Sequence, residues 1–459
     1  MGDEWRYIPF TEAVEVNPKI SLTRGAVYPF VDMKAVDPSR RGVTESGFRE
    51  FKGGGTRFLP FDTLMARITP CLENGKIARY EPSPGITGPA FGSTEFIIIR
   101  GKEGVTDNDY AYYLTQWDKF RHFAISQMTG SSGRQRVPAD SLSKFMAPVP
   151  TLPEQRAIAY ILGTLDNKIE LNRKMNQTLE AMAQAIFKSW FVDFDPVIDN
   201  TLKAGKPIPD SLAKRAAKRK QVLEKVRQNN YPPLPKEIAD LFPDEFEDSE
   251  IGPIPEGWGA GPFTKIATLT TKTVRPGECP DRFWEHYSIP AFDEGCHPKW
   301  ERGDTIKSGK YQVLPSCVLA SKLNPQFPRV WMPDVADPTV AICSTEFMPF
   351  VPVHEQWRPF LYELLKSPTI QEEICSRATG STGSRQRVKP KDIAIMSVIL
   401  PPPKVITAFC TIVGGLHKKL LANQRNSFLL ARIRDTLLPR LLSGEIEIEA
   451  TEAFVGRDN

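Results

Sequence analysis

Thr129-Gly130-Ser131-Ser132-Gly133-Arg134-Gln135-Arg136-Val137 returns further along the chain as Thr379-Gly380-Ser381-Thr382-Gly383-Ser384-Arg385-Gln386-Arg387-Val388, with a single insertion before the second Arg-Gln-Arg-Val. Further matches keep the same order. Ser93-Thr94-Glu95-Phe96 recurs 251 positions later as Ser344-Thr345-Glu346-Phe347. The run Leu59-Pro60, Leu64, Arg67-Ile68-Thr69-Pro70 parallels Leu314-Pro315, Leu319, Lys322-Leu323-Asn324-Pro325, and Asn172 parallels Asn423. Solenoid units run to roughly 20 to 50 residues, so a period this long marks a duplicated domain.

Composition fits two large domains with connecting elements, since 459 residues correspond to about three domains of roughly 150 each. A hydrophobic content of 41% supplies buried cores without disulfide staples or metal. The seven cysteines (71, 279, 296, 317, 343, 375, 410) are odd in number, scattered and free of any C-x-x-C, which argues against a disulfide framework and a zinc module. They read as reduced thiols of a cytoplasmic protein. No apolar run approaches the roughly 20 residues of a membrane span, and Met1-Gly2-Asp3-Glu4-Trp5-Arg6 is neither a signal peptide nor a myristoylation site. A net charge of +4 is compatible with a polyanionic partner without indicating one.

Two long stripes organise the rest. Ile158, Leu162, Leu165, Ile169, Leu179, Ala183, Ile186 and Trp190 recur in alternating steps of four and three, interrupted by Asn172 and Asn176. That is a heptad stripe on a long helix. The second copy carries Phe409, Val413, Leu416, Leu420, Asn423, Ser427, Leu430, Arg434, Leu437 and Leu441, polar at the matching turn. Both helices follow Pro-rich stops, Pro148-Val149-Pro150 and Pro401-Pro402-Pro403. About 38 residues make a rod of roughly 55 Å. Asn172 and Asn423 either fix register in an apolar seam or face solvent. Ile161, Met175, Met182, Phe187, Leu421, Phe428, Ile433 and Leu438 exceed what one helical partner can cover, which points to helices from another protein.

The expected fold class is α+β with an internal pseudo-two-fold repeat: globular mixed α/β domains at 1–150 and 253–402, and long helices at 151–197 and 403–445. Within the first domain, 95–100 reads as a strand, and 107–127 carries Tyr110, Tyr113, Leu114, Trp117 and Phe120 at helical spacing. An insertion at 198–252 is basic and then acidic, and 446–459 is a tail. Its basic run, Lys214, Arg215, Lys218, Arg219, Lys220, Lys225 and Arg227, reads as a short helix that is either a solvated face or an accessory contact.

The repeated loops combine backbone N–H groups, hydroxyls and guanidinium forks, a set suited to phosphate oxygens. Ser131, Arg134 and Arg136 supply them in the first copy, and Ser381, Arg385 and Arg387 in the second. The other reading is a hinge whose arginines pair with carboxylates. Arg67 and Lys322 occupy equivalent places, so neither can tell two different targets apart. On a nucleic acid, base readout would fall to residues that differ, Asn74 and Lys76 in one copy and Gln326 and Arg329 in the other.

Catalytic readings do not hold. Asn324-Pro325-Gln326-Phe327 is one substitution from an adenine-methyltransferase signature, but its counterpart is Thr69-Pro70-Cys71-Leu72, so it reads as a shared turn. Neither a dinucleotide-binding glycine pattern nor a P-loop is present. The histidines at 122, 286, 297, 354 and 417 lack metal-like spacing, and His297 reads as a surface residue.

With the Leu165-Asp166-Asn167-Lys168-Ile169-Glu170-Leu171-Asn172 run, the Phe191-Val192-Asp193-Phe194-Asp195-Pro196 exit and the Gly252-Pro253-Ile254-Pro255-Glu256-Gly257-Trp258 re-entry, the chain resembles the specificity subunit of Type I restriction-modification enzymes. The resemblance covers nearly the whole chain. It implies two target recognition domains, each reading half of a bipartite double-stranded DNA target, separated by two antiparallel coiled-coil helices. It also implies docking of methyltransferase subunits, two by expectation, and endonuclease/translocase subunits through the complex, with no membrane partner. No cofactor is expected on this chain; S-adenosylmethionine, ATP and Mg2+ would belong to the partners. The competing reading is a stand-alone DNA-binding regulator or coiled-coil scaffold.

Overall fold

Both heptad stripes fold as unbroken helices of 40 residues, Leu152–Phe191 and Pro403–Leu442. At 1.5 Å per residue each is about 60 Å long. The computed structural model describes residues 5–131, 133–229, 234–380 and 386–448. Contacts divide the chain within the helices: Met1–Lys174 with Arg425–Asn459 make one unit, and Met175–Gln424 the other. Each unit therefore holds one globular domain and a part of both helices. The first helix stops at Phe191, short of the expected 197. Phe194 takes a left-handed backbone (φ 53°), and Pro196 enters the first turn of a new helix, Asp195–Ala204. Proline fits a first turn because it has no N–H to donate.

In the first unit, strand Phe96–Gly101 lies between Val14–Val16 and Thr63–Ala66, with Ile77–Tyr80 and Gly42–Val43 beyond. A second sheet orders Gly47–Glu50, Val27–Val31, Ala90–Gly92 and Thr56–Phe58. The helical stretch expected at 107–127 is two helices, Asn108–Gln116 and Asp118–Ser126, because Trp117 between them is extended (ψ 129°). That break lets Trp117 enter the core together with Phe120, whose ring lies 4.6 Å from that of Phe10. The second unit breaks at the corresponding Ser367, where Pro368 follows and disfavours a helical predecessor. Ile158 and Leu162 from the first helix and Leu441 and Leu442 from the second close the first unit's core. Burying one such side chain contributes about 1.5–3 kcal/mol.

The second unit repeats the plan. Strand Phe347–Pro352 lies between Ala267–Leu269 and Val318–Ser321, with Val330–Trp331 beyond, and Ala341–Cys343 lies in a companion sheet. Two expectations change here. Phe187, expected to be exposed, is buried against Phe191, Phe360 and Phe409. The insertion expected as a connector contributes Phe242 to the second core, with Leu212, Ile238, Leu241 and Phe246 packed against it, and the elements at its two ends, helix Asp195–Ala204 and the hairpin of Phe246–Ser249 with Gly252–Pro255, bring Val197 and Ile254 to the same core. The helix Pro403–Leu442 includes an 18-residue stretch apolar enough, by length and composition, to cross a membrane. Its Val405, Ile406, Phe409 and Val413 are spent on this core instead.

The polar interruptions do not face solvent. Asn172 and Asn423 are 2% and 4% exposed. In the first unit the Asn172 side-chain amide donates to Ser427 Oγ at 3.2 Å, and Arg434 meets Asp166 at 2.6 Å. In the second unit Asn423 donates to Asn176 Oδ1 at 2.9 Å, and Asn176 to the Leu420 carbonyl at 3.3 Å. Numbers that rise along one helix meet numbers that fall along the other, so the pair is antiparallel. Buried amides that find partners only in one alignment fix register at a cost in stability.

Candidate nucleic-acid interface

The Arg-Gln-Arg-Val segment is held by the same backbone scaffold in both units. Thr129 and Arg136 exchange N–H···O bonds of 3.0 and 2.9 Å, Thr69 N–H donates to the Gln135 carbonyl at 3.0 Å, and Val137 N–H donates to the Arg67 carbonyl at 2.8 Å. In the second unit Thr379 and Arg387 exchange bonds of 2.9 Å each, Asn324 N–H donates to Gln386 at 2.8 Å, and Val388 N–H donates to Lys322 at 3.0 Å. Thr69 and Asn324 thus do one job, with Phe327 N–H closing a turn on the Asn324 carbonyl at 2.9 Å. The methyltransferase-like quartet is a structural turn.

Each scaffold pairs a carboxylate with an arginine. Arg136 donates Nε and Nη2 to Glu95 at 2.9 and 2.7 Å, and Arg387 donates the same two atoms to Glu346 at 3.1 Å each. Arg67 and Lys322 stand alongside through N–H bonds of 2.9 Å to the carbonyls of Glu95 and Glu346. Ser93 Oγ and Ser344 Oγ accept the glutamate N–H groups at 3.2 and 3.3 Å. Hydrogen bonds from Arg136 are the largest influence on the Glu95 carboxyl, and with the charges of Arg136 and Arg67 they hold it below the usual carboxylate range against partial desolvation. Arg67, Arg136 and Glu95 together carry one net positive charge. Arg67 Nε is buried without a partner among the described residues.

The other candidates differ in exposure and in what they touch. Lys76 donates Nζ to the Met33 carbonyl at 2.9 Å, and Arg329 grips Asp293 with two bonds of 2.7 and 2.9 Å. Asn74, Gln326, Ser131 and Arg134 are exposed, and the Arg134 N–H closes the loop tip on the Ser131 carbonyl at 3.0 Å. Ser381 and Arg385 lie outside the described residues. His297, expected at the surface, is half-buried, and burial lowers the basicity of its imidazole. Arg136 and Arg387 are paired with carboxylates, as the hinge reading expects, while Arg134 forms no ion pair among the described residues. Glu95 and Glu346 had no role assigned from sequence. The signal was there, because Glu95 to Glu346 and Arg136 to Arg387 share one offset of 251.

Residues 73–181 match the model of the Type I restriction modification DNA specificity domain. The chain is 26% identical over 383 residues to the Type I restriction enzyme HindI specificity subunit of Haemophilus influenzae, covering 77% of this chain and 81% of that protein. It is 24% identical over 417 residues to the MjaIX specificity subunit of Methanocaldococcus jannaschii, covering 90% and 84%. Among solved structures, the S subunit of a Type I restriction-modification system from M. genitalium shares the fold, with a TM-score of 0.52 at 13% identity over 96% of each chain. The duplicated scaffold and the antiparallel helices thus accompany a similarity, over most of the chain, to Type I restriction-modification specificity subunits.

Proposed function

We propose that the chain is the DNA-recognition and scaffold subunit of a Type I restriction-modification complex, each globular domain reading one half of a bipartite target and the helices setting the unread gap. One observation carries this reading: two matching backbone scaffolds hold near-identical loops beside turns of different sequence, at Asn74 and at Gln326. The shared part suits what is common to any duplex, its phosphates, and the differing part suits what distinguishes two half-sites. Arg134 at its tip and the clusters of Arg67 with Arg136 and Lys322 with Arg387 take phosphates, with Ser131, Ser381 and Arg385 on the same loops. Asn74 and Gln326 face bases, and Lys76 and Arg329 hold their turns in place. The chain itself is not catalytic. Methyltransferase subunits, two to match the duplication, dock on the helices, and restriction subunits join through the complex. S-adenosylmethionine, ATP and Mg2+ belong to those partners, and the assembly works in the cytoplasm.

Mapping methylated adenines across the host genome, with and without this gene, tests the reading. A bipartite asymmetric motif should vanish with the gene; methylation that persists unchanged would sink it.

The loops make a separate prediction. Arg134→Ala should lower the magnitude of the salt slope of DNA binding by about 0.9, equally for cognate and unrelated duplexes. Arg387→Ala should weaken binding more, because it also leaves the Glu346 carboxylate facing phosphate unneutralised, and Glu346→Gln in the same chain should recover part of the loss. Binding isotherms across a KCl series check this. A change in which bases are methylated would instead make these arginines readers.

A further inference from the structure

The basic helix of the insertion, Ala213–Gln228, keeps two kinds of cation apart. Arg215 and Arg219 point at the preceding helix: Arg215 Nε donates to Asp195 at 2.7 Å with Asp193 also at 3.0 Å, and Arg219 Nε donates to Asp199 at 2.9 Å. Ala216 is buried between them. The acidic stretch that follows is used elsewhere, Asp244 on Lys206 at 2.9 Å and Asp240 on Lys236 at 2.6 Å. Lys214, Lys218 and Lys225 are exposed and form no ion pair among the described residues. At 3.6 residues per turn these three lie within about 40° of one another around the axis, with Gln221 in the same line, and span about 16 Å. Arg215 and Arg219 fall about 100° to one side.

We propose that this lysine line is a third DNA contact, a sequence-independent seat for duplex phosphates beyond the bases that the two domains read. It rests on the recognition function above. Duplex DNA offers one charge per roughly 1.7 Å of axis, so a 16 Å line of point charges finds phosphates in any sequence. Lysine suits this, since an ammonium needs no fixed fork geometry. A protein partner fits the line less well. Interface cores are depleted in lysine and built on aromatic or arginine anchors, and the exposed large apolar side chain on this helix is Val222.

The test uses the chain assembled with its methyltransferase subunits, a duplex carrying the mapped motif and a duplex of unrelated sequence. K214Q/K218Q/K225Q should reduce the magnitude of the log Kd against log [KCl] slope by about two to three for both duplexes, at up to about 0.9 per lost contact. The methylated motif should be unchanged, and K214R/K218R/K225R should keep the wild-type slope. An unchanged slope in the glutamine variant overturns the proposal. So does loss of methyltransferase subunits from that variant in gel filtration, which would make the line a protein contact. Equal affinity of the wild-type complex for the two duplexes would instead sink the recognition function, leaving the slope to judge the lysines.

Discussion

Leu429→Asp combined with Ile433→Asp is expected to abolish adenine methylation by the co-expressed complex while leaving the chain folded. Both side chains sit on the second long helix, 55% and 48% exposed, and a spacing of four puts them side by side on one face. Each is half covered by the fold, while on the stripe beside them Leu430 and Leu437 are half-buried and Leu441 is buried in the first unit's core. Exposed apolar pairs on an otherwise packed helix mark a surface for another protein. A carboxylate forced into such an interface without a partner costs several kcal/mol, and every 1.4 kcal/mol is tenfold in affinity. On the free chain the change costs helix propensity, below about 1 kcal/mol per site, and the partial burial of each side chain, about half of the roughly 1.5–3 kcal/mol of full burial. Co-purification, methylation and thermal unfolding separate the effects. Subunits that still co-purify and methylate would show that this face is not the docking surface.

How far the sequence could be read depended on whether a signal repeated. The heptad stripes were legible because their period is local, and Ile158, Leu162, Phe409 and Val413 are buried as their positions require. The seam's polar turn was legible as a position but not as a contact, since partners such as Asn172 and Ser427 are set by the antiparallel alignment and lie 255 positions apart. Phe187 was misread for a related reason. Periodicity places it off the stripe, and only the folding of residues 358–366 and 403–413 around it creates the pocket that buries it. At the interface, repetition revealed the loops but not their wiring. Arg136 meets Glu95 across 41 positions, and Lys76 finds a backbone carbonyl that no composition rule could name.

Lengthening both long helices by one heptad should widen the unread gap of the methylated motif by about three base pairs without changing either half. Seven residues add about 10.5 Å, and the duplex rises about 3.4 Å per base pair. The insertion points follow from the seam. Position 172 faces 427 and position 176 faces 423, so insertions after Lys174 and after Gln424 lie opposite each other. They leave Asn172 with Ser427 in the first unit and Asn176 with Asn423 in the second, and a whole heptad preserves the 3.5-residue repeat. Insertions after Asn176 and Ser427 would not match, since the polar turn between them would slip by a heptad. Three base pairs also turn the duplex by about 100°, which can inactivate a complex of correct length. Three inserted heptads reduce that rotation, because about 31 Å corresponds to about nine base pairs, within about 50° of a full turn. The longer variant should methylate a motif with the same two halves and a gap about nine pairs wider. If both variants assemble with their partners and methylate the original gap, the helices are not the ruler; if the halves themselves change, bases are being read by the helical pair.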